Sequence, residues 1–570
     1  MNPTIVNNIK HVVVMMMENR SFDHILGAIP GVSGVLGNTY SNLPNPAEPA
    51  NDHNVLQYPA PITVNCQPQF DPDHGFGGMM TEIFGPAATA YMSPQGALTG
   101  YDDANRPIPV NEAYGPTQTM CGYYSTNANQ DSSQGTNAMT YFEYLPAGTT
   151  GRLNVLHTLA ENFVVCDNWF CDTPSETFPN RFFVHAGTNM GFNDDNNDPS
   201  KNSEADLWNA LTIYEQLDAI YAQLNGSNPG QANWAVYGWP GGIYDGFHYN
   251  SAQYDSDWFA YCNQKPFASQ FNRDIANFRD DVTNGELPFY SFLMPSLNFP
   301  AAGDVGNSMH PSGDVRLGEN YIAQVYNTLR NSAIWNNTLL IITFDENGGI
   351  YDHVTPPAAV PPDGFQYYGQ GETNPSFDYS LLGPRIPAIL VSPWLANVNG
   401  FSSGFQVDGT KYQNSSIPRF VLDLFEAQNN GNASIGDYTL TARDASANSV
   451  TSSSFWLTEA STECPTEITI YTEINNNPIP PWGTCLSTAS DCSPTGMLDA
   501  KPTEAALNFA KSSLFFYPGH ADSGKPLTKE FQTNLELLKY MDERKEATRK
   551  HAQRGKPAPP RRAMSPPRSM

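Results

Sequence analysis

The sequence predicts an α/β protein built on a doubly wound, mostly parallel sheet with helices on both faces. Short, continuous apolar runs recur along the chain, a pattern typical of strands buried on both faces of a parallel sheet. Amphipathic helical segments lie between these runs, and the repeated strand–helix–strand order favours a doubly wound domain. The composition agrees, since 40% of the 570 residues are hydrophobic and only 15% are charged, as in globular proteins.

Six apolar runs are predicted to form core strands. They do not alternate between polar and apolar residues, so both faces of each strand should be covered. The runs cover residues 12–17, 163–166, 234–237, 288–294, 339–344 and 386–391. Before the fifth run, residues 320–329 place Ile322, Val325 and Leu329 on one face of a helix, with the spacing of an amphipathic segment.

Changes in composition divide the chain into three regions. Residues 1–445 are predicted to form the main domain. Within it, residues 30–150 are rich in Pro, Gly, Asn and Tyr, and we interpret them as a large loop-rich insertion that forms substrate walls. Residues 446–527 are expected to be an irregular extension. Residues 528–570 are expected to form a helix followed by a basic, Pro-rich, disordered tail.

The net charge of −28 is unevenly distributed. Residues 544–570 contain nine Lys and Arg but only one acid, which leaves 20 basic and 56 acidic residues in 1–543, a net charge of −36. Such an acidic body repels nucleic acid, so no nucleic-acid partner is expected. The basic tail could contact anionic lipid headgroups; a solvated tail is the other interpretation and the one that the residues alone favour. The residues do not specify an oligomeric state.

The eight cysteines include no CxxC pair, and no His cluster has zinc-ligand spacing,. Cys464, Cys485 and Cys492 lie in a loop-like region and could include a disulfide if the protein were exported. The first ten residues lack a basic segment followed by an apolar one, so we expect an intracellular protein, cytoplasmic or peripherally bound to a membrane. The apolar run 12–17 is too short to span a bilayer.

Acidic residues follow two of the predicted strands. Glu18 and Asn19 come directly after the run 12–17, and Asp345 and Glu346 come after another. Ligands of open parallel sheets bind at the carboxyl ends of strands, and buried carboxylates are costly unless they are paired, hydrogen-bonded or bound to a cation. A salt bridge or a helix cap explains any single acid, but two acidic strand ends together favour a functional site.

A third strand end leads to Thr177. We predict that Thr177 is the N-cap of a helix at 180–189, with Pro179 in its first turn. A helix N-terminus presents free N–H groups and the positive end of the helix dipole, which suits a phosphate. The Thr177 hydroxyl could therefore attack phosphorus, although a simple helix cap is the alternative for this segment taken alone.

Two histidines, His74 and His310, lie in polar loops beside Gly75 and Pro311. Loop histidines of this kind are suited to contact a phosphate or to act as an acid or base. Taken alone, each would more often be an ordinary surface residue.

Several stretches, in the same order over about residues 9–445, resemble a known family. They are IKHVVVMMMENRSFDHILG at 9–27, residues 71–85, residues 163–188 with TFPNRFFVHAGT at their end, residues 310–357, LGPRIPAILVSPW at 382–394, YQNSSIPRFVLDLF at 412–425 and LTARDA at 440–445. Together they resemble the phosphoesterase family of bacterial phospholipases C and acid phosphatases. The last two stretches are more similar to plant non-specific phospholipases C.

The resemblance implies an alkaline-phosphatase-like fold and a phosphoesterase domain at 1–445. It implies hydrolysis of phospholipid phosphodiesters, as by a phospholipase C, through a phosphothreonine intermediate. The residues that it places in the catalytic site are Thr177 as nucleophile, the two acidic pairs, and two histidines that hold phosphoryl oxygens or protonate the leaving group: Thr177, Glu18, Asn19, Asp345, Glu346, His74 and His310. His353 also lies in a family motif, with a less defined role.

The two pairs at the strand ends also form a candidate metal site, with Glu18, Asn19, Asp345 and Glu346 as ligands. Their oxygens suit one hard divalent cation, calcium or magnesium, although the residues do not establish that a cation is needed. An apolar approach to the site would distinguish a lipid enzyme from one acting on soluble substrates. The aromatic residues Phe76, Phe84, Tyr123 and Tyr124 of the insertion could provide it.

The chain departs from the plant-like pattern at three places. Asn347 replaces a histidine, Met309 replaces an acid before His310, and Gln413 with Asn414 replaces a Glu-His pair. Because each change removes an ionisable group near the site, two other functions stay open. One is a broad-specificity acid phosphatase acting on soluble phosphomonoesters, and the other is a non-catalytic phospholipid-binding protein.

Overall fold

The computed structural model describes residues 2–42, 55–60, 71–85, 120–128, 132–149, 151–193, 210–225, 233–238, 272–295, 306–311, 313–367, 377–429, 438–471, 473–474 and 477–478. The predicted helix and tail at 528–570, with Cys485 and Cys492, lie outside these residues. Predictions about them therefore stay predictions.

The described residues form short and long elements in alternation. The strands are β1 (His11–Met17), β2 (Ser41–Asn42), β3 (Val55–Leu56), β4 (Tyr58–Ala60), β5 (Thr140–Phe142), β6 (Val164–Cys166), β7 (Trp169–Phe170), β8 (Trp234–Gly238), β9 (Asn272–Asp274), β10 (Tyr290–Leu293), β11 (Thr338–Phe344), β12 (Ala388–Val391), β13 (Gln406–Asp408), β14 (Tyr412–Gln413), β15 (Glu473–Ile474) and β16 (Asn477–Pro478). The α-helices are α1 (Pro3–Asn8), α2 (Phe22–Ile25), α3 (Phe76–Phe84), α4 (Tyr123–Ala128), α5 (Ser132–Ala138), α6 (Asn154–Asn162), α7 (Thr177–Ala186), α8 (Ile213–Asn225), α9 (Ile275–Asn284), α10 (Val315–Arg330), α11 (Ser416–Asn429) and α12 (Ala442–Ser446). Single 3₁₀ turns lie at Trp335–Asn337, Pro393–Leu395, Phe401–Ser403 and Val450–Ser452.

Eight strands form the central sheet, in the order β13-β6-β12-β11-β1-β10-β8-β9. Neighbouring strands are parallel except at β12, which is antiparallel to both β11 and β6. All six predicted core strands are present in this sheet, so the prediction of an α/β protein with a mostly parallel sheet is confirmed.

Helices cover both faces of this sheet. The residues of β11 are buried throughout, and so are those of β1 after His11, which requires packing on each face. The helices fall into two packed sets, one containing α1, α7, α8, α11 and α12 and the other α6, α9 and α10. The predicted helix at 320–329 is the central part of α10, whose N-cap, Asp314, accepts a hydrogen bond from the Arg316 N–H.

The register of the two central strands brings the predicted acidic residues together. β1 and β11 run parallel and pair Met17 with Phe344 as their last residues. Glu18 and Asp345 therefore leave neighbouring strands at the same level, at the carboxyl edge of the sheet.

The described parts of the insertion 30–150 have a hydrophobic cluster of their own. α3 and α4 pack there against residues of the 351–381 segment. Phe76, Phe84 and Tyr123 are buried in this cluster and Tyr124 is partly buried. The prediction that these rings provide an apolar approach was therefore wrong for the first three, because they hold the insertion to the domain instead.

The described end of the chain lies along α10. Asn320 exchanges two hydrogen bonds with the backbone of Tyr471, and Asn327 does the same with Ile468. Cys464, in the same segment, is buried as a free thiol. Among the described residues, no helix is both long and apolar enough to cross a bilayer.

Candidate active site

Thr177 is the first residue of α7, and its hydroxyl is not used as a cap. The predicted N-cap role is wrong, because the helix spans Thr177–Ala186 rather than 180–189 and its N-cap is Glu176. Its C-cap is Gly187, in the left-handed region (φ 66°). Thr177 Oγ1 instead donates a hydrogen bond to Asn19 Oδ1 at 3.0 Å. The hydroxyl is only partly buried, so a substrate can reach it.

Asn19 connects the two halves of the site. Its backbone N–H donates to Asp345 Oδ1 at 2.9 Å, and its Nδ2 lies 3.3 Å from His74 Nε2. The residue has a φ of 56°, a strained conformation of the kind that clusters at functional sites. Gly348 approaches closely enough that a Cβ there would lie 2.3 Å from the Asn19 carbonyl oxygen. The absence of a side chain at Gly348 therefore makes room for Asn19.

Asp345 forms a fully buried ion pair with Arg181, which lies one turn after Thr177. Arg181 Nε donates to Asp345 Oδ2 at 3.1 Å, while Oδ1 accepts the N–H groups of Asn19 and Glu346. Burial raises the pKa of Asp345, and the guanidinium of Arg181 opposes that shift. The pair thereby joins α7 to the end of β11.

Glu346 is a buried carboxyl with an unusually high pKa. Burial raises its pKa to about 8; the His74 ring opposes this shift, while the charges of Asp345 and Glu18 add to it. One oxygen accepts the Gly348 N–H, and the other, Oε1, has no hydrogen-bond partner among the described residues. Glu18 thus lies close enough to influence the ionisation of Glu346.

His74, from the insertion, reaches the same site. Its Nδ1 lies 2.6 Å from the Pro72 carbonyl oxygen. Burial lowers its pKa, but the charges of Glu346, Asp71 and Asp73 and the bond to Pro72 outweigh burial and raise the pKa to about 9. The ring is therefore a cation at neutral pH.

His310 lies beside His74 but is held in the neutral form. The two ring centres are 6.1 Å apart, and His310 Nε2 lies 3.6 Å from Asp71 Oδ1. Burial, then the positive charges of His74 and Arg20, lower the pKa of His310 well below its usual value. Arg20 Nε donates to the carbonyl of Met309 at 2.6 Å and so fixes this loop, in which Met309 has a φ of 72°.

The Asn19 amide can face its two neighbours in two ways. With Nδ1–H donated to Pro72, a neutral His74 ring offers Nε2 as an acceptor to Asn19 Nδ2. The cationic ring carries a proton on Nε2, so it requires an acceptor. A half-turn of the amide, whose oxygen and nitrogen are interchangeable in position, presents Oδ1 to His74 and Nδ2 to Thr177. The described geometry, in which Thr177 donates to Asn19 Oδ1, is that of a neutral His74, and with a cationic His74 Thr177 accepts from Asn19 Nδ2 instead.

The residues that depart from the plant-like pattern have supporting contacts. Asn347 Nδ2 donates to a backbone carbonyl three residues later. Asn414 Nδ2 donates to the carbonyl of Asp345 at 2.9 Å, and Gln413 Nε2 donates to Asp172 at 2.9 Å. These side chains hold the backbone of the site without an ionisable group.

His353 belongs to a neighbouring charge cluster. Its Nδ1 lies 2.9 Å from Asp23 Oδ2, and its ring stacks on Tyr40 at 4.2 Å. Arg385 is buried between Asp23 and Asp352 and donates to both. Arg385 pairs with both carboxylates, so His353 lies in a network of structural contacts.

Two groups of the described residues have the spacing of metal ligands: Asp71, His74 and His310, and Asp23, Asp352 and His353. In the first group, both nitrogens of His74 already face protein atoms, Pro72 O and Asn19 Nδ2. In the second, Arg385 already pairs with both carboxylates. A cation would have to displace these contacts.

The predicted ligand set of four oxygen donors is also engaged. Both oxygens of Asp345 accept hydrogen bonds, one of them from Arg181, and Asn19 Oδ1 accepts the Thr177 hydroxyl. The other two members of the predicted ligand set are the carboxylates of Glu18 and Glu346. A calcium or magnesium ion here therefore stays a prediction, and Arg181 already supplies positive charge to Asp345.

The sequence did not indicate three contributors to the site. Arg181 and Arg20 lie inside the motifs TFPNR and ENRSFDH, and Asp71 precedes His74 by three residues. All three are buried. The available signal was that each arginine lies inside a candidate catalytic motif. Their partners could not be predicted, because Asp345, the partner of Arg181, and Met309, the partner of Arg20, are distant in sequence.

The comparison with protein families identifies the chain. Residues 9–428 match the model of the family described as "Phosphoesterase family". The chain belongs to this family. It is therefore a hydrolase of phosphoester bonds, and a purely non-catalytic function is disfavoured.

Two proteins similar to this chain are phospholipases C. Non-specific phospholipase C1 of Arabidopsis thaliana is 30% identical over 454 residues, covering 77% of this chain and 69% of that one. Non-hemolytic phospholipase C of Burkholderia pseudomallei is 26% identical over 452 residues, covering 74% and 55%. Among solved structures, an alkaline phosphatase superfamily protein from Vibrio parahaemolyticus is similar at 15% identity and a TM-score of 0.26, covering 47% of this chain and 59% of that one.

Proposed function

We propose that the chain hydrolyses the phosphodiester of phospholipids in the manner of a phospholipase C, with Thr177 as the nucleophile. The observation that carries this proposal is the 3.0 Å contact of Thr177 Oγ1 with Asn19 at the start of α7. The relatives named phospholipase C support a phospholipid substrate.

The reaction would proceed in two displacements at phosphorus. Thr177 Oγ attacks the phosphodiester, the bond from phosphorus to the diacylglycerol oxygen breaks, and the phosphorylated headgroup stays on the threonine. Water then attacks the same phosphorus and releases the phosphorylated headgroup, which regenerates the hydroxyl. The N–H groups of Thr177 and Phe178 begin α7, ahead of Pro179, which has none, and they would stabilise the phosphoryl oxygens.

Glu346 and His74 are suited to the two proton transfers. A carboxyl with a pKa of about 8 is a stronger base than an exposed one, so it can accept the Thr177 proton once the pH exceeds about 8. A histidine cation with a pKa of about 9 can donate a proton to the departing alcohol. His310, held neutral, is suited to accept a hydrogen bond rather than to act as the acid.

A divalent cation, if one binds, would be held by Glu18 and Glu346 and would stabilise negative charge on the phosphate. Arg181 and His74 already supply positive charge to Asp345 and Glu346. We therefore expect activity to persist in the presence of a chelator.

The test compares p-nitrophenylphosphorylcholine with p-nitrophenyl phosphate, each with and without chelator. The proposal requires the phosphodiester to be the better substrate. A preference for the monoester would indicate a broad phosphatase, and inactivity on both would contradict the proposed site. Acid quenching during turnover followed by peptide mass analysis should find the modification on the peptide that contains Thr177.

A further inference from the structure

The proposed mechanism makes no use of residues 440–444, the LTARD motif, which we call the clamp segment. The segment lies beyond the matched residues 9–428, yet its Arg443 is fully buried beside the nucleophile helix. We propose that Arg443 is a positioning residue that fixes the loop 172–176 and thereby sets the location of Thr177. This inference rests on Thr177 being the nucleophile.

Arg443 holds the start of the loop through Asp172. Its Nη1 donates to the Asp172 carbonyl at 2.9 Å and lies 3.4 Å from Oδ1 of the same residue. The Asp172 carboxylate also accepts Gln413 Nε2 at 2.9 Å and the Ser415 N–H at 2.6 Å. Asp172 is therefore fixed from three sides, with Arg443 as the one cationic partner among these contacts.

The same guanidinium also contacts α7 itself. Its central carbon lies 5.1 Å from the centre of the Phe183 ring, which is within the range of a cation–π contact. Nη2 donates to the carbonyl of Tyr379. At the far end of the helix, Thr441 Oγ1 donates to the Gly187 carbonyl at 2.8 Å. The clamp segment thus holds α7 and its leading loop at both ends.

Asn180 transmits this position to Thr177. Its Oδ1 accepts the Thr173 N–H at 3.0 Å, and its Nδ2 donates to the carbonyls of Ser175 at 2.8 Å and Glu176 at 3.1 Å. Because one side chain of α7 binds three loop residues, the loop and the first helical turn shift together. A displacement at Asp172 therefore moves the Thr177 hydroxyl relative to Asn19.

Lysine cannot replace these contacts, because a single ammonium group lacks the planar, forked geometry of guanidinium. It retains the charge opposite Asp172, so the protein should still fold. A nucleophile misplaced by about 1 Å loses rate by about 100-fold. We expect Arg443→Lys to lower kcat by about that factor while KM changes little, because Arg443 does not touch the substrate.

Arg152 provides a matched control. It is also buried, and it donates to the Leu145 carbonyl and to Glu161 at 2.7 Å. It also lies 5.5 Å from the Tyr144 ring centre. It therefore has the same three kinds of partner, but they lie in α6 and in the segment before it, and α6 belongs to the other set of helices.

The experiment measures kcat, KM and Tm of the full chain for wild type, Arg443→Lys, Arg152→Lys, Thr441→Val and Thr177→Ala. The inference predicts similar losses of Tm for both lysine variants, with the large loss of kcat confined to Arg443→Lys. Thr441→Val, which removes the contact to Gly187 together with the hydroxyl that caps α12, should lower kcat in the same direction by a smaller factor. It keeps the test decisive if Arg443→Lys does not fold.

Equal kcat losses in the two lysine variants, or wild-type kcat in Arg443→Lys or Thr441→Val, would overturn the positioning role. Activity in Thr177→Ala would instead refute the proposed function. An inactive Thr177→Ala with a fully active Arg443→Lys would refute this inference alone.

Discussion

Thr177 illustrates how much of the chemistry depends on one side chain being left unused by the helix that carries it. A capping hydroxyl accepts a backbone N–H and points along the chain. Because α7 begins at Thr177 with Glu176 as its N-cap, the hydroxyl is free to meet Asn19 instead. The sequence predicted the residue and the helix but placed the cap one residue too late, and that residue decides whether the hydroxyl is available.

Thr177→Ala should abolish turnover while leaving stability almost unchanged. Loss of a true N-cap costs about 1 kcal/mol, but Thr177 does not cap α7, so we expect a smaller loss in urea unfolding. Thr177→Ser keeps the hydroxyl and should retain measurable activity. Turnover by Thr177→Ala within tenfold of wild type would show that another group attacks phosphorus.

The pH dependence of kcat/KM should follow Glu346 and His74. If Glu346 must be ionised and His74 protonated, activity rises as pH increases through about 8 and falls as it passes about 9. Because the two groups interact, the apparent pKa of each limb describes the pair and not one residue alone. Glu346→Gln should lower kcat/KM strongly, and because the Glu346 charge raises the pKa of His74, the alkaline limb of the residual activity should move to lower pH.

Rates measured between pH 5 and 10 test this assignment. Glu319→Gln, which alters a buried carboxyl outside the site, is the control and should leave the alkaline limb in place. An optimum near pH 5 would contradict the roles given to Glu346 and His74 and would favour an acid phosphatase.

At the scale of elements, the apolar runs predicted the centre of the sheet and missed its edges. β9 and β13 have the sequences NRD and QVD, which offer no apolar run because edge strands need not be buried on both faces. The antiparallel direction of β12 was also missed, since hydrophobicity does not record direction. Asp345 and Glu18 could be predicted because they follow central strands, whereas the Arg181–Asp345 pair depends on tertiary packing between α7 and β11.

A buried carboxyl between two helices should make stability depend on pH. Glu319 of α10 accepts the N–H groups of Val155 and Leu156 at the start of α6, each at 2.9 Å, and the Tyr471 hydroxyl at 2.8 Å. Burial raises its pKa to about 7, although these hydrogen bonds oppose the shift. Because the folded state holds the proton more tightly than the unfolded state, the contribution is full below the unfolded pKa of about 4.3. It is lost as pH rises through about 7.

Wild type should therefore lose about 3 kcal/mol of unfolding free energy from this group between pH 4 and pH 8. Glu319→Gln has no carboxyl to titrate at this position. The difference in unfolding free energy between wild type and variant should therefore change by that amount between pH 4 and pH 8. Urea unfolding at both pH values measures it. A difference that stays constant with pH would show that Glu319 ionises normally in the folded protein.

At the scale of the whole molecule, charge is distributed unevenly between the main body of the chain and its C-terminal tail. Residues 1–543 carry a net charge of −36, which opposes approach to an anionic bilayer. If the substrate is a phospholipid, as proposed above, the enzyme must nevertheless reach lipid. The nine cations within 544–570 are the part of the chain with the charge to offset this repulsion.

We predict that this tail binds anionic membranes peripherally and reversibly. Each cation near the surface contributes about 1 kcal/mol, so engaging half of the nine would outweigh moderate repulsion. The attraction should weaken as salt rises and the Debye length falls to about 8 Å or less.

Co-sedimentation with anionic and neutral vesicles would compare the full chain with a variant ending at Asp542, at low and high salt. The full chain should bind anionic vesicles more strongly, at low salt only, while both proteins hydrolyse p-nitrophenylphosphorylcholine equally, because the site lies elsewhere. Equal binding by the two proteins would identify the tail as a solvated appendage.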